Sequence, residues 1–205
     1  MSSEIKAIIF DMGGVIILTC DDTPRKNLAK QLKVPVAQLT DEVFNSQTAI
    51  QSEKGQLSKH EHWKKVLLGL GSNITQSIEE IDEAFWAGDR IDDELMSYIK
   101  SLKNKYRLGL LSNAFKGARE WVEGHFHFLD AFDLVVFSYE VGLRKPDPTI
   151  FIMICEKLNV FPQQAIFIDD MLANVDGARE AGLHAIHYQG KKLFRIELES
   201  LLNSL

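Results

Sequence analysis

Four short apolar runs in the sequence are each followed, directly or after a short loop, by polar side chains that could do chemistry. These side chains are Asp11, Ser112, Asn113, Lys145, Asp169 and Asp170. Clustered carboxylates repel one another unless a cation is present, and their hard oxygens suit Mg²⁺. Mg²⁺ and a lysine together would neutralise a phosphate, and a carboxylate could attack its phosphorus. If these residues meet in the fold, they predict metal-assisted phosphoryl transfer.

A pair of glycines follows the first of these carboxylates. Gly13 and Gly14 come directly after Asp11-Met12. Glycine allows a tight turn in which backbone amides can approach an anion closely. We therefore expect both glycines to contribute to phosphate binding.

The apolar runs themselves predict the strands that would hold these side chains. A run without alternation is typical of a strand buried on both faces of a parallel sheet. The candidate strands are residues 7–10, 108–111, 134–137, 165–168 and, more weakly, 184–188. Helix signals separate them, for example Asp147 as an N-cap with Pro148 at the first helical position. The order predicts an α/β fold with a Rossmann-like, doubly wound parallel sheet, which binds ligands at the carboxyl ends of its strands.

One long stretch interrupts this alternation. Residues 19–88 carry helix signals, including capping boxes that begin at Ser58 and Ser77, and contain no run typical of a strand. A crossover between parallel strands needs only about a dozen residues or somewhat more. The sequence therefore predicts an α-helical cap domain at 19–88, inserted into a core made of 1–18 and 89–205.

The composition limits the partners and the location of the chain. It has 205 residues and a formal charge of −6, with no long basic run, which argues against nucleic-acid and anionic-membrane partners. Apolar runs such as residues 15–18 are far too short to span a bilayer. Cys20 and Cys155 lie far apart and predict reduced, packed thiols of a cytoplasmic protein. The composition leaves the oligomeric state open.

Taken in order, the four polar segments resemble the four motifs of the haloacid dehalogenase superfamily. The matching segments are residues 10–15, 111–114, 144–148 and 168–170. The resemblance implies that Asp11 is the nucleophile and becomes transiently phosphorylated. It implies Mg²⁺ as cofactor, with Asp11, the Gly13 carbonyl, Asp169 and Asp170 as candidate ligands. It also implies a phosphate clamp made by Ser112, Asn113 and Lys145, with Lys145 taking part in catalysis.

Within the superfamily, the pattern is similar to the phosphatase domain of soluble epoxide hydrolase and to bacterial phosphatases that act on glucose 1-phosphate. The insertion at 19–88 resembles their helical cap. The resemblance implies a phosphatase that acts on a small phosphomonoester, with sugar phosphates as the favoured class.

The sequence departs from most phosphatases of this family at one position. Gly13 stands where they carry a second aspartate, which acts as general acid and then base. Losing such help typically costs about 10²- to 10⁴-fold in rate. We therefore expect substrates whose leaving oxygen needs little protonation, such as anomeric, aryl or acyl phosphates. Asp21 or Asp22 could supply a substitute acid.

The same departure leaves two alternative functions open. One is a metal-independent 2-haloacid dehalogenase, since those enzymes also lack the second aspartate. Their signature has an aromatic residue where Gly13 stands, and the pair Asp169-Asp170 favours phosphate chemistry. The other is a catalytically weakened phosphate-binding protein.

Overall fold

The computed structural model describes residues 4–72 and 76–204. The remaining parts of the predicted core and cap, residues 1–3, 73–75 and 205, lie outside the described residues. The elements of the first half are β1 (Ala7–Phe10), β2 (Ile17–Thr19), α1 (Thr23–Leu32), α2 (Val36–Asn45), α3 (Gln47–Glu53), α4 (Lys59–Gly69), α5 (Ile78–Trp86) and β3 (Asp89–Ile91). Those of the second half are α6 (Asp93–Leu102), β4 (Arg107–Ser112), α7 (Ala118–His125), β5 (Leu134–Phe137), α8 (Ser138–Val141), α9 (Pro148–Lys157), β6 (Ala165–Asp169), α10 (Leu172–Glu180), β7 (His184–His187) and α11 (Lys191–Ser204).

Five strands form one parallel sheet in the order β5-β4-β1-β6-β7. The central strand β1 is completely buried because its side chains alternate between two apolar layers. Ile8 and Phe10 pack with residues of α6, α7 and α11, whereas Ala7 and Ile9 pack with residues of α9 and α10. Helices therefore cover both faces, and the predicted doubly wound α/β core is confirmed.

Helices α1, α2, α4 and α5 form a second, separate apolar core, and α3 packs against α2 and α4. Trp63 and Phe85 are the largest side chains buried in it. Both predicted capping boxes are present, at Ser58–Glu61 and Ser77–Glu80, so these helices begin where the sequence indicated. The predicted helical cap is thus a layer of helices placed between β2 and β3 along the chain.

The sequence did not predict the short ribbon at the base of the cap. β2 and β3 pair antiparallel, with Ile17 opposite Ile91 and Thr19 opposite Asp89. Each strand is only three residues long, which is too short to show periodicity. The ribbon brings the two ends of the helical insertion together, while the exact domain boundaries at 18/19 and 88/89 stay a prediction.

The two cysteines differ in burial. Cys155 is buried in the layer beneath the sheet, and burial raises the pKa of its thiol to about 12. Cys20 is exposed, so the prediction of a packed thiol is wrong at this position. Cys20 directly follows β2, where the chain leaves the β2–β3 ribbon for the cap and its side chain is exposed to solvent.

Among the described helices, none has the length and apolarity that crossing a membrane requires.

Candidate active site

Asp11 lies directly after β1, in the middle of the carboxyl edge of the sheet. Its Oδ1 atom accepts a hydrogen bond from the Met12 amide at 2.7 Å and pairs with Lys145 Nζ at 2.7 Å. The side chain is buried, with 10% of its surface exposed. The Oδ2 atom accepts no hydrogen bond from any residue in the described parts of the chain. One carboxylate oxygen is therefore held in place while the other is left for a ligand.

Lys145 is the cation that joins the carboxylates. Its Nζ atom lies 2.7 Å from Asp11 Oδ1 and 2.6 Å from Asp169 Oδ2, and its side chain is 1% exposed. Burial alone would lower the pKa of Lys145, but the carboxylates of Asp11 and Asp169 more than offset this, so its pKa is raised. Lys145 therefore stays protonated and is held as a fixed positive charge at the centre of the site.

Asp169, the last residue of β6, is completely buried and held on all sides. Besides Lys145, it accepts hydrogen bonds from the Met171 amide at 2.8 Å and from Asn174 Nδ2 at 3.0 Å to each oxygen. Asn174 lies in the helix whose sequence also resembles the family pattern, but its contact with Asp169 was not predicted. The feature of the sequence that could have indicated this contact is an amide side chain in the first turn of the helix after Asp169-Asp170. Asp169 is thus an anchor for Lys145, since its oxygens are already occupied.

Asp170 points toward the turn that follows β1. A Cβ atom built on Gly14 would lie 2.2 Å from Asp170 Oδ2, and Gly14 has φ of +77°, so this position requires glycine. Asp11, Asp169 and Asp170 each offer a carboxylate oxygen, and these three oxygens lie within 4.8 Å of one another. The predicted carboxylate cluster is therefore present at the sheet edge.

The electrostatics of this cluster fit a divalent cation. Three carboxylates face one lysine, which leaves an excess of negative charge in a buried place. Burial raises the pKa of Asp11 well above its usual range, with Lys145 opposing the shift, and burial also raises the pKa of Asp170. An all-oxygen donor set with unbalanced negative charge suits Mg²⁺. Asp11 and Asp170 are the better candidates for metal ligands, because both oxygens of Asp169 already accept hydrogen bonds.

The turn between β1 and β2 corrects one expectation about the glycines. The Gly14 amide donates to the Ile17 carbonyl at 2.9 Å, so it is engaged within the turn and is not free to bind phosphate. The Gly13 carbonyl, predicted to be a metal ligand, accepts no hydrogen bond from any described residue, because the Met12 carbonyl takes the amides of Ile16 and Ile17. The Gly13 carbonyl therefore accepts no hydrogen bond from the described residues and stays available to a ligand. The lack of a side chain at Gly14 allows Asp170 to lie close to the turn.

Ser112 is the last residue of β4 and Asn113 follows it, and the side chain of Asn113 contacts the loop that carries Lys145. Asn113 Nδ2 donates to the Lys145 carbonyl at 3.0 Å, and Asn113 Oδ1 accepts from the Lys145 amide at 2.9 Å. Both polar atoms of the side chain are therefore used to hold the backbone of Lys145. Ser112 is buried beside it, with its hydroxyl 3.4 Å from the Asn113 carbonyl, and remains a candidate for contact with phosphate.

The residues considered as substitute acids lie elsewhere. Asp21 Oδ1 accepts the Thr23 amide at 2.9 Å, and Asp22 pairs with Lys26 at 2.6 Å, both at the exposed start of α1. Neither belongs to the carboxylate cluster.

Glu53 of α3 was not predicted to lie near the site. It is buried and pairs with Arg144, next to Lys145. Because 91 positions separate Glu53 and Arg144, the sequence held no local signal for their contact.

Comparisons with known proteins identify relatives of this chain that are named as phosphatases. The chain is 31% identical to the D-ribitol-5-phosphate phosphatase of Bacteroides thetaiotaomicron over 98% of this chain and 100% of that protein. It is 28% identical to the sesquiterpene phosphatase astK of Aspergillus oryzae over 98% of this chain and 99% of that protein. It also resembles the solved structure of a HAD family enzyme from Bacteroides thetaiotaomicron in complex with magnesium and inorganic phosphate. That likeness has a TM-score of 0.77 and 25% identity, and it covers 94% of this chain and 98% of the other.

The family assignment rests on most of the chain. Residues 5–182 match the haloacid dehalogenase-like hydrolase family, and this range includes every residue of the carboxylate cluster and Lys145. The predicted superfamily resemblance is thereby confirmed. The chain belongs to the haloacid dehalogenase-like hydrolase family.

Proposed function

We propose that this enzyme is a Mg²⁺-dependent phosphatase that hydrolyses a small phosphomonoester through an aspartyl phosphate on Asp11. The observation that carries the proposal is the buried arrangement in which Lys145 joins Asp11 to Asp169 while Asp170 stands within ligand distance. A bound Mg²⁺ would be held by Asp11, Asp170 and the Gly13 carbonyl. It would supply positive charge to the phosphate oxygens.

The reaction follows from the free oxygen of Asp11. That oxygen attacks phosphorus, the bond from phosphorus to the leaving oxygen breaks, and the leaving group departs with a proton from solvent. Lys145 keeps the opposing oxygen of Asp11 fixed and places its charge beside the transferred group. Water then attacks phosphorus in the aspartyl phosphate, which releases inorganic phosphate and restores the carboxylate.

Sugar phosphates and related polyol phosphates are the proposed substrate class. The full-length relative from Bacteroides thetaiotaomicron carries the name D-ribitol-5-phosphate phosphatase, which supports a polyol leaving group. The relative named sesquiterpene phosphatase supports the phosphatase reaction and makes terpenyl phosphates the natural comparison in a substrate panel. The carboxylate cluster favours this reaction over a metal-independent dehalogenase, which would not need Asp170. The cytoplasmic location and the exclusion of nucleic-acid partners stay predictions.

A phosphate-ester panel assayed with Mg²⁺ and with a chelator tests the proposal. We expect turnover with Mg²⁺, loss of turnover in chelator, and a fall of about 10⁴-fold or more in Asp11→Asn, the size seen when a nucleophile is removed. Asp176→Asn is the matched control, because Asp176 is an exposed aspartate on α10 that pairs with Arg179. Full activity in Asp11→Asn, or in chelator, would refute the proposal.

A further inference from the structure

One buried ion pair ties the helical cap to the loop that carries Lys145. Glu53, the last residue of α3, accepts a hydrogen bond from Arg144 Nε at 2.6 Å. The Glu53 side chain is 8% exposed and the Arg144 side chain 25%. Among the ion pairs of the described residues, this pair alone joins α1–α5 to the loop between α8 and α9. The Glu53–Arg144 pair therefore lies at the interface between cap and core.

A second close contact joins the cap to the segment between β5 and Lys145. Gly55 follows α3 with φ of +71°, and a Cβ atom built on it would lie 2.5 Å from the Tyr139 carbonyl oxygen. Tyr139 belongs to α8, in the same segment between β5 and Lys145. Residues 53–55 thus rest directly on this segment, so a movement of the cap away from the core must break both contacts.

The ion pair lies one peptide bond from the catalytic cation. Asn113 holds the Lys145 amide and carbonyl, and Glu53 holds the neighbouring side chain of Arg144. Burial raises the pKa of Glu53, while the charges of Arg144 and then Lys145 oppose this shift, so Lys145 is within electrostatic reach of the cap carboxylate. The backbone of Lys145 is therefore fixed from the core by Asn113 and from the cap through Arg144.

A buried ion pair is a costly way to gain stability, since both charges lose their hydration. Such a pair can instead favour one arrangement of two elements, because both charges are satisfied only in that arrangement. Closure of a lid can complete a catalytic arrangement in this way. Here the arrangement that satisfies Glu53 is the one with the cap seated on the core.

Resting on the proposed phosphatase function, we propose that Glu53 is a positioning residue that acts through Arg144. Its ion pair forms when the cap is closed and holds the Lys145 backbone where the ammonium bridges Asp11 and Asp169. The cap thereby takes part in assembling the catalytic site in addition to covering it.

A double-mutant cycle tests this role. We expect Glu53→Gln and Arg144→Gln each to lower kcat by about 10- to 100-fold, the cost of a displacement of about 1 Å at a catalytic group. KM should change less than kcat, and the double variant should be no slower than the slower single variant. Arg119→Gln and Glu140→Gln form the matched control, since that pair lies wholly within the core and should leave kcat within about twofold.

Several results would overturn the proposal. They are an unchanged kcat in folded Glu53→Gln, or losses that multiply in the double variant. If one single variant fails to fold, the double variant removes both charges together and leaves no unpaired buried charge. A double variant with the wild-type kcat would count equally against the proposal.

The failure of this inference can be separated from failure of the proposed function. If the wild type hydrolyses no ester with Mg²⁺, the phosphatase proposal fails and the positioning role is judged from hydrogen exchange. The Lys145 amide is bonded to Asn113 Oδ1, and we expect it to exchange faster in Glu53→Gln than in the wild type. Equal exchange at the Lys145 amide in the two proteins would refute the positioning role.

Discussion

Gly13 lies two residues after the proposed nucleophile, and the space beside its Cα atom is open. A Cβ atom built there meets no heavy atom within 4 Å, whereas a Cβ atom at Gly14 would collide with Asp170. Gly14 is therefore required by the geometry of the turn, but Gly13 is not. A substitution at position 13 can therefore introduce a general acid without a steric conflict at its Cβ atom.

Gly13→Asp should therefore add a proton donor for the leaving group. We expect kcat for a simple alkyl phosphate to rise by about tenfold or more, because a poor leaving oxygen gains most from general acid catalysis. An aryl phosphate with a good leaving group should gain little. Steady-state rates on the two esters, compared with the wild type, provide the measurement.

Gly13→Asn is the matched control for that substitution. It introduces a side chain of nearly the same shape that cannot act as an acid, so neither ester should be hydrolysed faster. Equal acceleration of both esters by Gly13→Asp would show that the new carboxylate acts in some other way than by protonating the leaving oxygen.

At the scale of single residues, the sequence predicted where the charged groups lie better than it predicted the contacts of their neighbours. Asp11, Asp169 and Asp170 could be placed together because each ends a run that had to be a buried strand. Phosphate binding by Asn113 stays a prediction, whereas the hydrogen bonds of its side chain to the Lys145 backbone were not predicted. That contact depends on the conformation of a loop 32 positions away, so the sequence around Asn113 holds no local signal for it.

Helix α10 and the loop after Lys145 approach each other at a single glycine. A Cβ atom built on Gly177 would lie 2.3 Å from the Pro146 carbonyl oxygen, which is a backbone atom and cannot rotate away. The helix begins directly after the acidic pair and carries Asn174, the partner of Asp169. Gly177 thus allows α10 to lie close enough to support both Asp169 and the Lys145 loop.

Gly177→Ala should therefore destabilise the fold and slow the enzyme. We expect a loss of about 1–3 kcal/mol in the free energy of unfolding, because overpacking forces the backbone to move. Since the atom that must move belongs to Pro146, kcat should fall as well. Denaturant unfolding and steady-state rates measure the two effects.

Gly124→Ala is a suitable control for that change at the element scale. Gly124 also lies in a helix, α7, but a Cβ atom there meets no atom within 4 Å. The substitution should be neutral or stabilise the protein by up to about 1 kcal/mol, through the higher helix propensity of alanine. Similar stability changes in the two variants would contradict the close approach at Gly177.

The elements of the core were predictable because their signals are local. The strands β1, β5 and β6 begin where their unbroken apolar runs begin, and α9 begins at the predicted Asp147 N-cap. The ribbon of β2 and β3 was not predictable, since two segments of three residues each pair across a separation of about seventy positions. Strand pairing at such a distance leaves no periodic pattern in either segment.

At the scale of the whole molecule, every group of the proposed reaction comes from the core, while the cap approaches the site through Glu53. The sequence predicted this division, because the helical insertion interrupts an otherwise regular alternation of strands and helices. It did not predict how the cap sits on the core. The contact between cap and core depends on side chains such as Glu53 and Arg144. Whether these two side chains come together depends on how two separate apolar cores pack.

The stability of the whole molecule should depend on Mg²⁺ and on pH together. Burial raises the pKa values of Asp11 and Asp170, so the metal-free folded protein holds protons that the unfolded chain has already released. Its stability therefore falls as the pH rises through this window. Mg²⁺ binds the deprotonated carboxylates, so its affinity rises over the same window. The stabilisation by Mg²⁺ is therefore larger at higher pH, because it depends on the affinity of the folded protein for the ion.

The measurable quantity is the difference in Tm between protein in excess Mg²⁺ and protein in chelator. At about 100 times the dissociation constant the stabilisation is about 2.7 kcal/mol, or roughly 5–10 °C for a chain of this size. We expect this difference to grow as the pH rises above the ordinary aspartate pKa, because the pKa values of Asp11 and Asp170 in the folded protein are raised above it. Asp170→Asn should abolish most of it, because the remaining carboxylates are held by Lys145 and Asn174. A Tm difference that is constant with pH, or that survives in Asp170→Asn, would mean that Mg²⁺ binds elsewhere.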